Sequence, residues 1–350
     1  MNPDVSAVVV SHRTSAEAGA CVASLRESFS REGVRGEIVL VDCGSGTQEV
    51  AGLREAGADV LVPLPENRGY SGGANAGLAR ASGGLLLVCN ADVVFTPGAV
   101  SALRRAAGQR RVGAAGPLCF WDAAQRLRLP PGFAPGLARD FLQLAAGRFP
   151  RLDRRRFRAF ARQTLRLWRE GGDAPHLTGA VLAVRRDVFD RVGRFDERFP
   201  FEYEESEWED RARRAGYRLA YVPTARVHHL YARSSSRGAD AGARRRASRT
   251  LYARERYGLL GARLLEWAGA LARPASPVCL PAPRVERCPG ASLALSPNPS
   301  LLPFVGAALD ADFELPADVL PSLPRGPVYL RVFREADGEP LETYVWEYAA

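Results

Sequence analysis

The first 120 residues alternate short, continuously apolar runs with longer stretches patterned as helices, and few architectures accept that order. Ser6 to Val10, Glu37 to Val41, Val60 to Pro63 and Leu85 to Cys89 read as strands. Between them lie Ala16 to Phe29, with Ala20, Ala23 and Leu25 at helical spacing, then Thr47 to Ala56 and the Gly-rich Gly72 to Ala81. A strand without polar alternation is covered on both faces, and strands separated by helices pair in parallel. The reading is an α/β fold built on a buried sheet. In such sheets ligands sit beyond the carboxyl ends of the strands, so the residues just after each strand are the first candidates for function.

The rest of the chain is organised differently. Trp121 to Glu170 lacks the alternation and holds nine arginines between Arg148 and Arg169. A second ordered block spans His176 to Leu230, Leu251 to Ala272 reads as a helix, and prolines are dense from Pro274 to Pro303. Val328 to Phe333 and Glu342 to Tyr348, rich in Val, Tyr, Phe and Trp, predict a small β appendage. The expected division is a main domain over 1–273, with halves at about 1–120 and 174–273 around a basic insertion at 121–173. A Pro-rich linker (274–303) and the appendage (304–350) follow.

Composition narrows the class. With 46% hydrophobic and 25% charged residues the chain of 350 is neither disordered nor fibrous. No apolar run approaches a bilayer span, and Met1 to Arg13 has no signal-peptide pattern, so a cytoplasmic location is expected. The six cysteines form no CxxC pair, which indicates neither a zinc site nor a disulfide framework. The net charge is +9 and every cationic chain is arginine, giving a basic surface. For Arg148 to Arg169 a solvated helix face is the commonest meaning of such a run. The functional alternative is peripheral contact with an anionic membrane, with Phe149, Phe157, Phe160, Leu165 and Trp168 as apolar partners. Nucleic-acid binding is not expected, because no recognition motif accompanies the charge.

Four stations stand at strand ends: Ser11-His12-Arg13-Thr14, Asp42-Cys43-Gly44-Ser45, Asn67-Arg68-Gly69-Tyr70 and Asn90-Ala91-Asp92. An acid after a central strand can accept hydrogen bonds from a base or ribose, or hold a cation. A glycine-rich turn opening a helix lets backbone N–H groups approach a diphosphate. Taken singly, Asp42 as a turn cap and Asp92 as a helix cap are the simpler readings.

In order, VVVSHRTSA, EIVLVDCGSG and ENRGYSGGANAGLARASGGLLLVCNADV resemble the nucleotide-binding half of the GT-A fold, in the inverting family 2 glycosyltransferases that include rhamnosyltransferases. LTGAVLAVRRDVF, GRFDERF and EYEESEWEDRARRAGYRLAYVPTARVHHL resemble that family's acceptor-side block. The resemblance implies a Rossmann-like mixed sheet flanked by helices, a nucleotide-sugar donor, a glycan or lipid-linked acceptor, and a divalent cation, Mg²⁺ or Mn²⁺. By motif position it implies Thr14 and Asp42 around the nucleobase and Asn67, Arg68 and Gly69 in the donor loop. Asp92 matches the last acid of the metal-binding motif and His229 a histidine after the final strand, with His228 one place away. Asn90 stands where the family has a first acid, leaving one carboxylate for the cation.

Glu202 to Asp210 followed by Arg211, Arg213, Arg214 and Gly216 describes a helix suited to its own dipole. That accounts for Glu207 to Asp210 but not for Glu204 and Glu205 ahead of them, where repulsion should raise a carboxylate pKa. The resemblance assigns Glu205 the place of the catalytic base, with Glu204 beside it on the acceptor side. Trp208 reads equally as a ring stacked on an acceptor sugar and as a tryptophan packed in the core. Rival readings are a catalytically silent nucleotide-sugar-binding protein and a membrane-surface scaffold.

Overall fold

A computed structural model describes residues 3–132, 135–146, 149–199, 201–230, 241–270, 278–298, 301–323 and 325–348. Arg148 and Pro274, where the basic stretch and the linker were expected to begin, lie outside these residues. The chain forms two compact units, Met1–Cys119 with Gly171–Tyr252, and Phe120–Glu170 with Ala253–Ala350.

The elements begin with β1 (Val5–Ser11), α1 (Ser15–Glu32), β2 (Gly36–Cys43), α2 (Thr47–Glu55), β3 (Val60–Leu64), α3 (Gly69–Leu78) and β4 (Leu85–Asn90). Then come β5 (Val93–Phe95), α4 (Ala99–Ala107), β6 (Val112–Phe120), α5 (Leu137–Ala146) and α6 (Pro150–Glu170). The chain continues through β7 (Gly172–Asp173), β8 (Val181–Arg185), α7 (Arg186–Val192), α8 (Glu204–Arg214), β9 (Arg218–His229) and α9 (Ala241–Ala270). The last strands are β10 (Val278–Cys279), β11 (Arg284–Val285), β12 (Ala291–Ser296), β13 (Val305–Ala308), β14 (Phe313–Glu314), β15 (Gly326–Arg334) and β16 (Pro340–Tyr348).

In the first unit the sheet runs β3-β2-β1-β4-β8-β6-β9-β5, with β7 beside β9. The four strands read as parallel do pair in parallel, with Ser11 opposite Asp42 and Val10 opposite Asn90. Beyond β4 antiparallel pairs enter, beginning with β8, whose Val181 lies opposite Cys89. The carboxyl ends of β1, β2 and β4 therefore bring three of the stations to one edge. Helix α3 starts at Gly69, three residues earlier than its pattern predicts. A Cβ on Gly73 would come within 2.5 Å of Cys43 Sγ, and one on Gly77 within 2.4 Å of Val8 Cγ1. Those two glycines let α3 lie directly on β1 and β2.

The second unit departs from the expected division. The segment read as a linker contains β12, every residue of which is buried. It is an inner strand of a five-stranded sheet, β10-β16-β15-β12-β13, rather than a connection to two isolated strands. The basic insertion shares a core with this sheet. Phe157 of α6 stacks on Phe304 at 5.5 Å and meets Phe333 edge-on at 5.4 Å, while Trp168 meets Phe304 at 6.1 Å. Phe157, Leu165 and Trp168 are buried, which removes them as membrane-facing partners. Several α6 arginines are also neutralised within the unit, Arg154 and Arg158 by Glu339 and Arg169 by Glu335. The reason is periodic: Phe157, Ala161, Thr164, Leu165 and Trp168 form one buried stripe beneath the arginines.

Phe157→Ala should destabilise this unit by roughly 3–5 kcal/mol, the usual cost of removing a buried aromatic ring. Urea unfolding followed by tryptophan fluorescence measures it. A loss below about 1 kcal/mol, as for an exposed site, would contradict a shared core.

Candidate active site

The first cluster lies at the ends of β1, β2 and β4. Asp42 is buried, and its Oδ2 accepts a hydrogen bond from the Ser45 N–H at 3.1 Å. Its Oδ1 is buried with no hydrogen-bond partner among the described residues. An orphaned carboxylate oxygen is costly unless a donor group arrives from outside, so it is suited to a base or ribose. His12 stands beside it. Burial lowers the His12 pKa, keeping the ring neutral. Its Nδ1–H then donates to the Cys43 carbonyl at 2.8 Å, and its Nε2 accepts from the Asn67 amide at 3.3 Å. Asn67 Oδ1 in turn accepts the Gly69 N–H at 2.9 Å. Thr14 is buried, its hydroxyl 2.9 Å from that of Ser11, where it shapes the turn after β1.

Gly69 has φ +73°, a left-handed conformation that opens α3 without strain. Arg68 precedes it, half-exposed and paired with Glu197. Asn75, buried within α3, donates to the Phe195 carbonyl at 2.9 Å and to Glu197 at 3.0 Å, and accepts from the Phe195 N–H at 3.1 Å. Helix α3 thus fixes the loop that leads into α8.

Asp92 and His229 form the second cluster. Both are buried, with His229 Nε2 3.2 Å from Asp92 Oδ1 and 3.4 Å from the Asn90 amide nitrogen. Val93 pairs with His229 and Val94 with His228, so alternation sends the two imidazoles to opposite faces of β9. His229 is the one that meets Asp92. No group of three acidic, histidine or cysteine ligands occurs among the described residues. One carboxylate and one imidazole fit a cation that draws its other oxygens from a bound diphosphate.

The third cluster sits at the start of α8. Glu202 (φ +62°) and Tyr203 (φ +71°) are consecutive non-glycine residues in left-handed conformation, which costs on the order of 1–2 kcal/mol each. Strain of this kind persists where surrounding contacts enforce a geometry, here the Glu202–Arg245 ion pair and the Tyr203–Tyr252 ring contact. Glu204 is buried and its Oε2 has no hydrogen-bond partner among the described residues. Burial first, and then repulsion from Glu205, push its carboxyl well above the ordinary range. Glu205 keeps partial access to solvent, with 14% of its side chain exposed. Its neighbour is a residue that the sequence reading passed over, His176, whose Nε2 lies 3.5 Å from Glu205 Oε1. His176 Nδ1 bonds to Glu209, whose other oxygen accepts the Leu177 N–H at 2.9 Å. Tyr70 of α3 donates to the Gly179 carbonyl at 3.0 Å, and a Cβ on Gly179 would lie 3.5 Å from the Glu205 carboxyl carbon. Donor loop and acidic cluster are therefore neighbours.

Trp208, expected to stack on an acceptor ring, is fully buried. It packs against Phe189 and Phe195, and its indole N–H is satisfied by the Gly193 carbonyl at 2.8 Å. At helical spacing from Ala212 it belongs to the face of α8 that covers the core.

These clusters fall within a stretch that matches a known profile: the family described as Glycosyltransferase like family 2 matches residues 3–253. The chain belongs to this family. Relatives from two strains of Mycobacterium tuberculosis, both described as N-acetylglucosaminyl-diphospho-decaprenol L-rhamnosyltransferase, are 33% identical over 219 residues, covering 57% of this chain and 68% of theirs. Among solved structures the glycosyltransferase is similar to the mannosyltransferase PcManGT from Pyrobaculum calidifontis in complex with GDP-Man and Mn²⁺. There the TM-score is 0.50 at 19% identity, over 78% of this chain and 73% of that one. It is similar also to GalNAc-T7 with UDP, GalNAc and Mn²⁺, at TM-score 0.50 and 14% identity, over 99% and 72% of the two chains. At those identities the likeness speaks to the fold, which is GT-A.

Glu204 generates a pH prediction. A carboxyl whose folded pKa is raised favours the native state while protonated, so its contribution is present at low pH and is lost as pH climbs past the ordinary carboxyl value. Relative to Glu204→Gln, the wild-type enzyme should lose stability between pH 5 and pH 8 at up to about 1.4 kcal/mol per pH unit. Urea midpoints at both pH values decide it; a pH-independent difference would mean that Glu204 is ionised in the fold.

Proposed function

We propose that this enzyme transfers a hexosyl group from a nucleoside-diphosphate sugar to a hydroxyl of a glycan or lipid-linked saccharide, inverting the anomeric configuration in one displacement. The observation that carries the reading is Glu205, a partly exposed carboxylate at the head of α8 beside the glycine-bounded turn that adjoins the donor loop. A carboxylate so placed can take the proton of an acceptor hydroxyl while the oxygen attacks the anomeric carbon in line. The nucleoside moiety is read by the free oxygen of Asp42, with His12 and Asn67 as a neutral hydrogen-bonding wall. The diphosphate is received by the first N–H groups of α3 and by Arg68, which exchanges Glu197 for it. Asp92 and His229 would hold a Mg²⁺ or Mn²⁺ ion, which when bound offsets the charge of the leaving diphosphate. The mycobacterial relatives act on a diphospho-decaprenol-linked sugar by their description, which favours a lipid-linked acceptor and polysaccharide biosynthesis here.

That acceptor class also favours a cytoplasmic enzyme with peripheral contact at the inner membrane face. No described helix is long and apolar enough to cross a membrane. With the apolar residues of α6 largely buried, the surface suited to the contact is the outer face of α9. There Leu259, Leu260, Leu264 and Trp267 are 66%, 83%, 40% and 58% exposed around Arg263.

Glu205→Gln should lower transfer by roughly 10²–10⁴-fold, the range of general-base catalysis, with donor affinity by calorimetry unchanged. Near-normal turnover would exclude Glu205 as the base. Trp267→Glu should weaken cosedimentation with phosphatidylglycerol vesicles without altering transfer to a soluble acceptor; undiminished vesicle binding would exclude the α9 face.

A further inference from the structure

His176 is the residue of the acidic cluster to which the transfer chemistry above gives no part. It is buried, three residues before the Gly179–Ala180 turn that leads into β8, and it faces α8 with both ring nitrogens. Nδ1 is bonded to Glu209 and Nε2 lies 3.5 Å from Glu205 Oε1, so one ring ties two carboxylates a helical turn apart. The far end of the chain is fixed in turn. Glu209 is fully buried and is held by the Leu177 N–H at 2.9 Å and by Arg213 at 3.8 Å, while Arg213 also bonds the Pro175 carbonyl. Glu205, more exposed than His176 or Glu209, stands at the other end.

We propose that His176 positions the Glu205 carboxylate for proton abstraction, with Glu209 fixing the tilt of the imidazole from behind. The inference rests on Glu205 being the base and adds what holds it. Glu205 has three rotatable side-chain bonds at a solvent edge, and an ion pair at Oε1 leaves Oε2 as the acceptor for the hydroxyl. The charges that bear on His176 agree with this role. Burial alone would lower its pKa, but Glu209 and Glu205 outweigh it and lift the ring to about 10. The ring is therefore a cation with two N–H donors at neutral pH, facing two acids on α8. Arg213 lies behind Glu209, Glu204 adjoins Glu205, and Tyr70 approaches from α3. A cationic ring also offsets the negative charge of Glu205 and Glu209, one helical turn apart.

The test is a double-mutant cycle on kcat. His176→Phe should lower kcat by about 100-fold, the penalty for a catalytic group displaced by roughly 1 Å, with donor affinity by calorimetry unchanged. His176→Gln, which keeps one donor, should recover part of the loss. In a Glu205→Gln background His176→Phe should cost nothing further, because His176 acts only through Glu205. Wild-type kcat in His176→Phe, with Glu205→Gln inactive, would overturn the positioning role and leave the base assignment standing. An equal loss in both backgrounds would overturn it too, since a merely structural role behaves that way. Full activity in Glu205→Gln would remove the base itself. Should the histidine variants not fold, ¹⁵N-imidazole NMR of the wild-type protein decides: two protonated ring nitrogens on His176 at pH 8 support the role, and a neutral ring overturns it.

Discussion

Helix α3 lies on β1 and β2 at a distance that only a hydrogen in place of a side chain permits, and the catalytic unit is arranged around that contact. Gly73 and Gly77 meet Cys43, Val10 and Val8 where a Cβ would collide. The close approach brings the first turn of the helix to the carboxyl edge of the sheet, where the Asn67 and Asp42 stations stand. It also carries Asn75 inward, whose buried amide holds both the carbonyl and the N–H of Phe195 and so sets the loop from Gly193 to Phe199. Donor loop and acidic helix are coupled through that amide, through the Arg68–Glu197 pair and the Ser71 hydroxyl on the Phe199 carbonyl, and through Tyr70. A larger residue on this stripe would lift the helix and separate the two halves of the site.

The acidic cluster is an electrostatic problem that the fold solves in four ways. The N-terminal end of α8 offers its free N–H groups and the positive end of its dipole to Glu204, Glu205 and Glu207. Glu207 is neutralised by a bidentate pair with Arg211 one turn later. Glu204, buried and next to Glu205, carries its proton upward in pH, while His176 supplies a cation between Glu205 and Glu209. The left-handed backbone at Glu202 and Tyr203 is the visible cost of aiming the helix there. Buried charge in this amount is hard to explain as stabilisation, because desolvation opposes it; it suits a site that must move a proton.

The second unit obeys a simpler rule. An amphipathic helix needs an apolar partner, and α6 finds one in a sheet formed by residues more than a hundred positions later. Its arginines are drawn down onto the acids of the β15–β16 hairpin, where Arg331 also reaches Asp153 at 3.1 Å and lies over the Phe157 ring at 4.7 Å. Charge that reads as free in one dimension is thus substantially paired in three.

The fold of the first unit was legible because its signals are local. Continuous apolar runs between helical stretches mean buried parallel strands, and the four stations follow from where those strands end. Asp42, Asp92 and Glu205 could be nominated as candidates from the order of motifs alone. His229 could be named to within one residue, and the pairing of Val93 with His229 then decided which of two adjacent imidazoles meets Asp92. Trp208 could not be assigned from sequence, since an indole at helical spacing looks the same whether it faces a ligand or the core, and only its neighbours Phe189 and Phe195 distinguish the two. His176 left even less trace: one histidine ahead of an apolar strand, 29 positions from Glu205, becomes meaningful only when β8 and α8 are set side by side. The same holds for the strand hidden among prolines at Ala291–Ser296, whose edges are satisfied by β13 and β15. Local periodicity and strand-end chemistry are written in consecutive residues; pairing across distant segments, and the burial that fixes a charge or a ring, exist only once the chain has closed on itself.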